Sequence, residues 1–266
     1  MIIVPVPYDA ASSHLGGSRK GPSAIIEASF ELEWYDDELK REICQVGIHT
    51  IEALEPDVES PRRMVERVEG VVRGILGEGK IPVVIGGDHS ISIGAVRAVA
   101  DAYRDVDVVF FDAHSDMRDI YQGSKFSHAC VGRRISEICG ITQLGTRRMD
   151  SSEARYIKNR NIKQFKAPLS HPENFLDKLL EGSGHDIYIS IDLDVLDPSI
   201  MPAVGNPEPG GVEWYDMLMV LRTICREKRV IGFDVVELRP IPGFFAPNFT
   251  AAKLVYKTIG YITSFD

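Results

Sequence analysis

Residues 106–116 read Val-Asp-Val-Val-Phe-Phe-Asp-Ala-His-Ser-Asp. The run Val106–Phe111 is short, continuous, β-branched and aromatic. A strand wetted on one face would alternate apolar with polar residues, so this run fits a parallel sheet buried on both faces. The same kind of run recurs at Ile2–Val6, Ile43–Ile48, Ile81–Ile85, Ile141–Leu144, Ile162–Phe165, Ile187–Ile191 and Val230–Val236. Helical segments fall between the strands, at Pro22–Trp34, Pro61–Leu76, Ile91–Tyr103, Ser152–Lys158, Pro172–Leu180, Val212–Cys225 and Phe249–Ile262. Ser60-Pro61 is a helix-start signal, and Met64, Val68, Val71, Val72 and Ile75 follow near the helical period. This alternation predicts one α/β domain over residues 1–266, with a mostly parallel, doubly wound sheet.

Composition narrows the function. The chain has 266 residues, 30 Lys plus Arg against 39 Asp plus Glu, and a net charge of −9. Without a basic run it would repel nucleic acid and anionic lipid and favour cationic ligands, so neither a nucleic-acid nor a membrane partner is expected. Apolar residues make up 44%, enough for a sizeable core. No stretch approaches the roughly 20 apolar residues that cross a bilayer. The opening Met1-Ile-Ile-Val-Pro lacks a basic export signature, and Cys44, Cys130, Cys139 and Cys225 form no CxxC pair. A cytoplasmic protein is the expectation.

Ligands of open α/β sheets bind beyond the carboxyl ends of the strands, so the residues that follow each strand decide the chemistry. Ile81–Ile85 leads into Gly86-Gly87-Asp88-His89-Ser90, and Val106–Phe111 into Asp112-Ala113-His114-Ser115-Asp116. Ile187–Ile191 leads into Asp192-Leu193-Asp194, and Val230–Val236 into Glu237. Alternate residues of extended backbone share a face. Asp112, His114 and Asp116 can therefore aim together, as can Asp192 and Asp194, with His89 joining them. The four aspartates carry about −4 and would lose charge by protonation unless cations compensate, and two divalent ions supply about +4. An oxygen-rich set with two imidazoles and no thiolate suits Mn²⁺ ahead of Zn²⁺. Asp88, Asp197 and Pro198 read as loop-fixing residues, and the Pro/Gly-rich stretch 198–211 as a functional loop. His14, His49, His171 and His185 have no convergent partners.

These motifs resemble the ureohydrolase family of arginases, agmatinases and their relatives. The matching stretches are GGDHS at Gly86–Ser90, DAHSD at Asp112–Asp116, SIDLDVLDP at Ser190–Pro198, PAVGNPEPGG at Pro202–Gly211 and VELRP at Val236–Pro240. The resemblance implies an arginase-like three-layer α/β/α fold and two Mn²⁺ per chain. His89 and Asp116 would serve one ion, His114 and Asp194 the other, with Asp112 and Asp192 bridging. It further implies that His128 is a proton shuttle, that Glu237 pairs with the substrate guanidinium, and that the chain forms a homo-oligomer, a trimer or hexamer. The segment Asp116–His128 is similar to prokaryotic agmatinases and lacks the Asn-bearing loop of arginases. Ala129-Cys130 and Ala203-Val204 stand where relatives often have Gly-Thr, which bears on the substrate more than on the metals.

The expected activity is Mn²⁺-dependent hydrolysis of a small cationic guanidino substrate, agmatine, to putrescine and urea. A guanidinium stays protonated, with a pKa of about 12.5–13.8, and resists unaided attack by water. Metals would lower the pKa of water, Glu237 would hold the cation, Asp194 would stabilise the developing charge, and His128 would protonate the leaving amine. Arginine or 4-guanidinobutyrate as substrate, a non-catalytic relative and a zinc amide hydrolase are the alternatives. Arg118 and Lys125 either pair with nearby acids or meet a substrate carboxylate. Taken alone, His128 reads as a surface or helix-start histidine and Glu237 as a strand-end partner of Arg239.

Overall fold

The computed structural model describes residues 1–11, 16–169 and 176–265. His14, His171 and the start of the helix expected at Pro172–Leu180 lie outside the described residues. Strand β1 (Ile2–Val6) is followed by α1 (Gly21–Ser29), a two-stranded ribbon of β2 (Tyr35–Asp36) and β3 (Arg41–Glu42), and the short strand β4 (His49–Thr50). Helix and strand then alternate: α2 (Pro61–Gly77), β5 (Pro82–Gly86), α3 (Ser92–Ala102), β6 (Val106–Phe111), α4 (Val131–Ser136) and β7 (Gly140–Leu144). The chain continues through α5 (Ser151–Arg160), β8 (Lys163–Phe165), α6 (Leu176–Leu180), β9 (Asp186–Asp192), α7 (Trp214–Glu227), β10 (Arg229–Val236) and α8 (Ala246–Ile262).

The main sheet has eight strands in the order β4-β1-β5-β10-β9-β6-β7-β8, and every pairing in it is parallel. The last two strands thus insert between β5 and β6. Insertion brings the carboxyl ends of four strands side by side, and those are the strands that lead into His89, Glu237, Asp192 and Asp112.

Alternation along each strand builds two cores. Val83, Ile85, Val109, Phe111, Ile187, Ile189 and Ile191 pack with residues of α1, α6, α7 and α8. Val84, Val108, Phe110 and Tyr188 pack with residues of α2, α3, α4 and α5 on the opposite face. The result is a three-layer α/β/α arrangement. Among the described residues, no helix is long and apolar enough to cross a membrane.

Local signals explain the helix ends. Ser60 caps α2 by accepting from the Arg63 N–H at 3.3 Å, and Pro61 occupies the first turn. Helix α5 starts with a reciprocal capping box between Asp150 and Glu153 and stops at Asn161, whose φ of 53° is left-handed. Asp197 fixes the 198–211 loop by accepting from the N–H groups of Ser199, Gly210 and Gly211.

One expected strand is not formed. Ile43–Val46 makes a single 3-10 turn, and pairing is confined to His49–Thr50. Packing against α8 decides this: Ile43 is fully buried, and a Cβ at Gly260 would meet its Cδ1 at 2.5 Å. Gly47, with φ 78°, then turns the chain out.

A second close approach joins α2 to α3. A Cβ at Gly94 would lie 2.3 Å from the Val65 carbonyl oxygen, which is backbone and has little freedom to yield. Gly94→Ala is expected to destabilise the fold by about 1–3 kcal/mol. A denaturant titration would show this as a lower midpoint at unchanged slope.

Candidate active site

His89 is set by the turn that follows β5. Asp88 accepts from the Ser90 N–H at 3.0 Å and from the Ala11 N–H at 2.9 Å, which swings His89 under the sheet edge. Its ring stacks on Phe110 at 4.7 Å with planes 5° apart. Nε2 lies 3.0 Å from Ser190 Oγ, which donates to Asp234 Oδ1 at 2.8 Å. Because Ser190 spends its proton on Asp234, Nε2 carries a ring proton, and Nδ1 is the nitrogen that would lose its proton to serve a metal. Nδ1 faces Asp112 Oδ2 at 3.2 Å, Asp192 Oδ2 at 3.3 Å and Asp116 Oδ2 at 3.6 Å.

A second group shares Asp112. His114 Nδ1 lies 2.8 Å from Asp194 Oδ2 and 3.6 Å from Asp112 Oδ1. Asp194 Oδ1 accepts from the Ala113 N–H at 3.0 Å, and Asp192 Oδ1 accepts from the Asp194 N–H at 2.9 Å. His89, Asp112 and Asp192 therefore form one cluster able to hold a metal ion, and Asp112, His114 and Asp194 form another. Asp116 sits beside the first, in a left-handed conformation with φ 51°. Glu153 holds it there by accepting from Ser115 Oγ at 2.6 Å and from the Met117 N–H at 2.9 Å.

The electrostatics of the cluster are those of a site built for cations. Burial raises the pKa of Asp116, Asp192 and Asp194, and the charge of neighbouring aspartates raises each further. Burial alone would lower His89 and His114, but their aspartate partners more than offset it and hold both imidazoles well above the ordinary value. Asp112 is the reverse case: burial opposes its charge, but the imidazoles of His114 and His89 beside it hold it low. Protons thus compensate a crowd of anions that metal ions would compensate better. His89 Nδ1, Asp112 Oδ2 and His114 Nε2 are buried without a hydrogen-bond partner. Nitrogen and oxygen donors left open at one locus fit a hard or borderline divalent ion.

His128 and Glu237 flank the clusters. His128 Nδ1 lies 2.6 Å from the Ala11 carbonyl oxygen, which can only accept, so Nδ1 carries the proton and Nε2 is the basic nitrogen. Burial lowers its pKa, and the charges of His114 and His89 add to that. Glu237 has φ 66°; its N–H donates to the Gly87 carbonyl at 2.8 Å, and its Oε1 accepts from the His89 N–H at 2.9 Å. Burial, followed by the charges of Asp192 and Asp88, raises its pKa. Arg239 donates instead to the Gly16 carbonyl at 3.1 Å, so the pairing with Glu237 is not made.

A cleft of about 560 Å³ opens over these groups and is lined by His89, His114, Asp116, His128, Asp192, Asp194 and Glu237. Its outer wall holds residues the sequence did not single out: Tyr121, Arg148, Asp150 and Glu153. The Asp150-Ser-Ser-Glu153 capping signature was the one local signal for the last two. Arg118 also lines the cleft, 3.4 Å from Asp150 and 3.9 Å from Glu153, whereas Lys125 is exposed and outside the lining.

The sequence signature described as Arginase family matches residues 1–260. An N(1)-aminopropylagmatine ureohydrolase of Thermus thermophilus is 41% identical over 266 residues, covering 98% of this chain and 89% of that protein. An agmatinase of Pyrococcus horikoshii is 32% identical over 265 residues, covering 97% and 90%. The crystal structure of the agmatine ureohydrolase of Thermoplasma volcanium superposes with a TM-score of 0.91 at 32% identity, covering 99% of this chain and 90% of that one. The chain belongs to the arginase family of amidinohydrolases.

Protonated clusters must shed protons to take up metal. Groups with raised pKa values hold those protons more tightly, so Mn²⁺ affinity should rise as pH rises. Titration calorimetry in buffers of differing ionisation enthalpy should register proton release. A pH-independent affinity would contradict the electrostatics.

Proposed function

We propose that the protein hydrolyses a guanidino compound with an amine tail, releasing urea, at a two-Mn²⁺ centre. His89, Asp112, Asp116 and Asp192 would hold one ion, and Asp112, His114, Asp192 and Asp194 the other. When bound, such ions lower the pKa of water towards neutrality and so supply a nucleophile. The observation that carries the reading is Glu237. It is a carboxylate beside both clusters with no ion pair to any described residue, and it is held in a strained backbone conformation.

The chain's own groups then divide the work. Glu237 accepts charge-assisted hydrogen bonds from the substrate guanidinium and holds its carbon over the clusters. Neighbouring anions raise the pKa of Glu237 in the free protein, and a bound cation reverses that penalty. Asp194 accepts a hydrogen bond from the attacking water and stabilises the charge that develops at the carbon. His128, neutral at pH 7, takes a proton from solvent at Nε2 and passes it to the leaving amine as the C–N bond breaks. Urea and the free amine follow.

An amine tail is favoured over a carboxylate tail by the rim charges. Arg118 is already matched by Asp150 and Glu153, and Arg148 is ion-paired with Glu208. No cation on the described rim is left for a substrate carboxylate. Agmatine, giving putrescine, is the simplest such substrate. The aminopropyl-extended form is a second reading, favoured by the 41% identity to the Thermus protein. We also propose a single-domain cytoplasmic enzyme that assembles as a trimer or hexamer.

Urea release from agmatine, N(1)-aminopropylagmatine, arginine and 4-guanidinobutyrate in the presence of Mn²⁺ separates these readings. Turnover should be confined to the first two, and activity on the guanidino acids alone would refute the rim-charge argument. Glu237→Gln should lower kcat/KM on the preferred substrate by about 100-fold or more, since it removes a charged hydrogen-bond partner of the transition state. Unchanged kcat/KM would exclude Glu237 as the guanidinium partner.

A further inference from the structure

Arg147 follows β7 and is not among the residues lining the cleft. Its guanidinium reaches main-chain carbonyls on three segments. Nη1 donates to Gly145 at 3.1 Å and Val195 at 3.2 Å, and Nη2 to Asp194 at 2.8 Å. Glu208 accepts from Nη2 at 2.7 Å and from Nε at 3.2 Å. An arginine placed to neutralise an acid would face a carboxylate, as the adjacent Arg148 faces Glu208. Arg147 instead uses its planar fork to collect carbonyls.

The pattern closes a ring around the second cluster. The Arg147 N–H donates to the Ala113 carbonyl at 2.9 Å. The Ala113 N–H donates to Asp194 Oδ1, and the Asp194 carbonyl accepts from Arg147 Nη2. Ala113 is the residue between Asp112 and His114. The Arg147 side chain therefore holds the Asp194 backbone, while its own main-chain N–H holds the Ala113 carbonyl between Asp112 and His114. The first cluster is held differently, through Ser190 and Glu153. The bonds to Glu208 also pin the loop that places Gly205 and Asn206 in the cleft wall.

We propose that Arg147 is the positioning residue of the His114–Asp194 subsite, setting the separation of its donors without touching substrate. This rests on the two-metal reading above. A lysine keeps the charge, but its single ammonium cannot span carbonyls on three segments as five fixed N–H donors can. Geometry, not charge, is what the subsite requires.

The test uses the full chain, stripped of metal and titrated calorimetrically with Mn²⁺ alone, as wild type, Arg147→Lys and Arg147→Met. Circular dichroism confirms folding of each. Wild type should bind two ions. Loss of an outer-shell support costs about 10–100-fold in metal affinity. Both variants should therefore weaken one binding event by at least about tenfold and leave the other within about threefold. The spin-coupled resonance of paired Mn²⁺ should disappear from both variants at two equivalents. Equal weakening of both events, no weakening, or rescue by Arg147→Lys overturns the inference. Failure of both variants to fold also overturns it, because Arg147 is then a general stability element. Wild type binding fewer than two ions would instead defeat the metal reading on which the inference rests.

Discussion

Asp112 is the hinge of the site. It is fully buried, and one of its oxygens faces His89 while the other faces His114. Four carboxylates gathered around one point cannot all stay ionised without nearby positive charge. The rest of the site follows from that constraint: imidazoles aimed inward, hydrogen bonds that fix one oxygen each of Asp112, Asp192 and Asp194, and donor atoms left open at the centre. A merely structural cluster would have closed those atoms on one another.

Sheet topology makes the crowding possible. Had β9 and β10 joined the sheet at an edge, the acidic turns would lie far from those after β5 and β6. Their insertion at the centre sets four carboxyl ends adjacent, and burial on both faces gives each strand a fixed register. The backbone is bent locally to suit. Asp116 and Glu237 both take positive φ, an arrangement that costs on the order of 1–3 kcal/mol each and persists only when the surroundings over-determine it. Glu153 supplies that constraint for Asp116, and the Gly87 carbonyl supplies it for Glu237. Gly87 itself admits no side chain, because a Cβ there would sit 1.7 Å from the Tyr8 carbonyl oxygen.

Much of this was legible in the residues. Continuous apolar runs marked the buried strands, and the i, i+2 and i+4 spacing of Asp112, His114 and Asp116 marked a common aim. What the sequence hid was of two kinds. Ile43–Val46 has strand-like residues, but tertiary packing under α8 bends it into a turn, and local pattern holds no trace of Gly260. Ser190, Asp234, Glu153 and Arg147 act by supporting other residues. Most of their partners are distant in sequence, and only the capping box of Asp150 and Glu153 leaves a local mark. Asp88 and Asp197 are the exceptions, because their hydrogen bonds include near neighbours such as Ser90 and Ser199.

The account turns on cations occupying the two clusters together. A crystal grown with Mn²⁺ and measured at the manganese absorption edge tests this directly. Two anomalous peaks are predicted, one among His89, Asp112, Asp116 and Asp192, the other among Asp112, His114, Asp192 and Asp194. A lone peak, or peaks only on the protein surface, would contradict it.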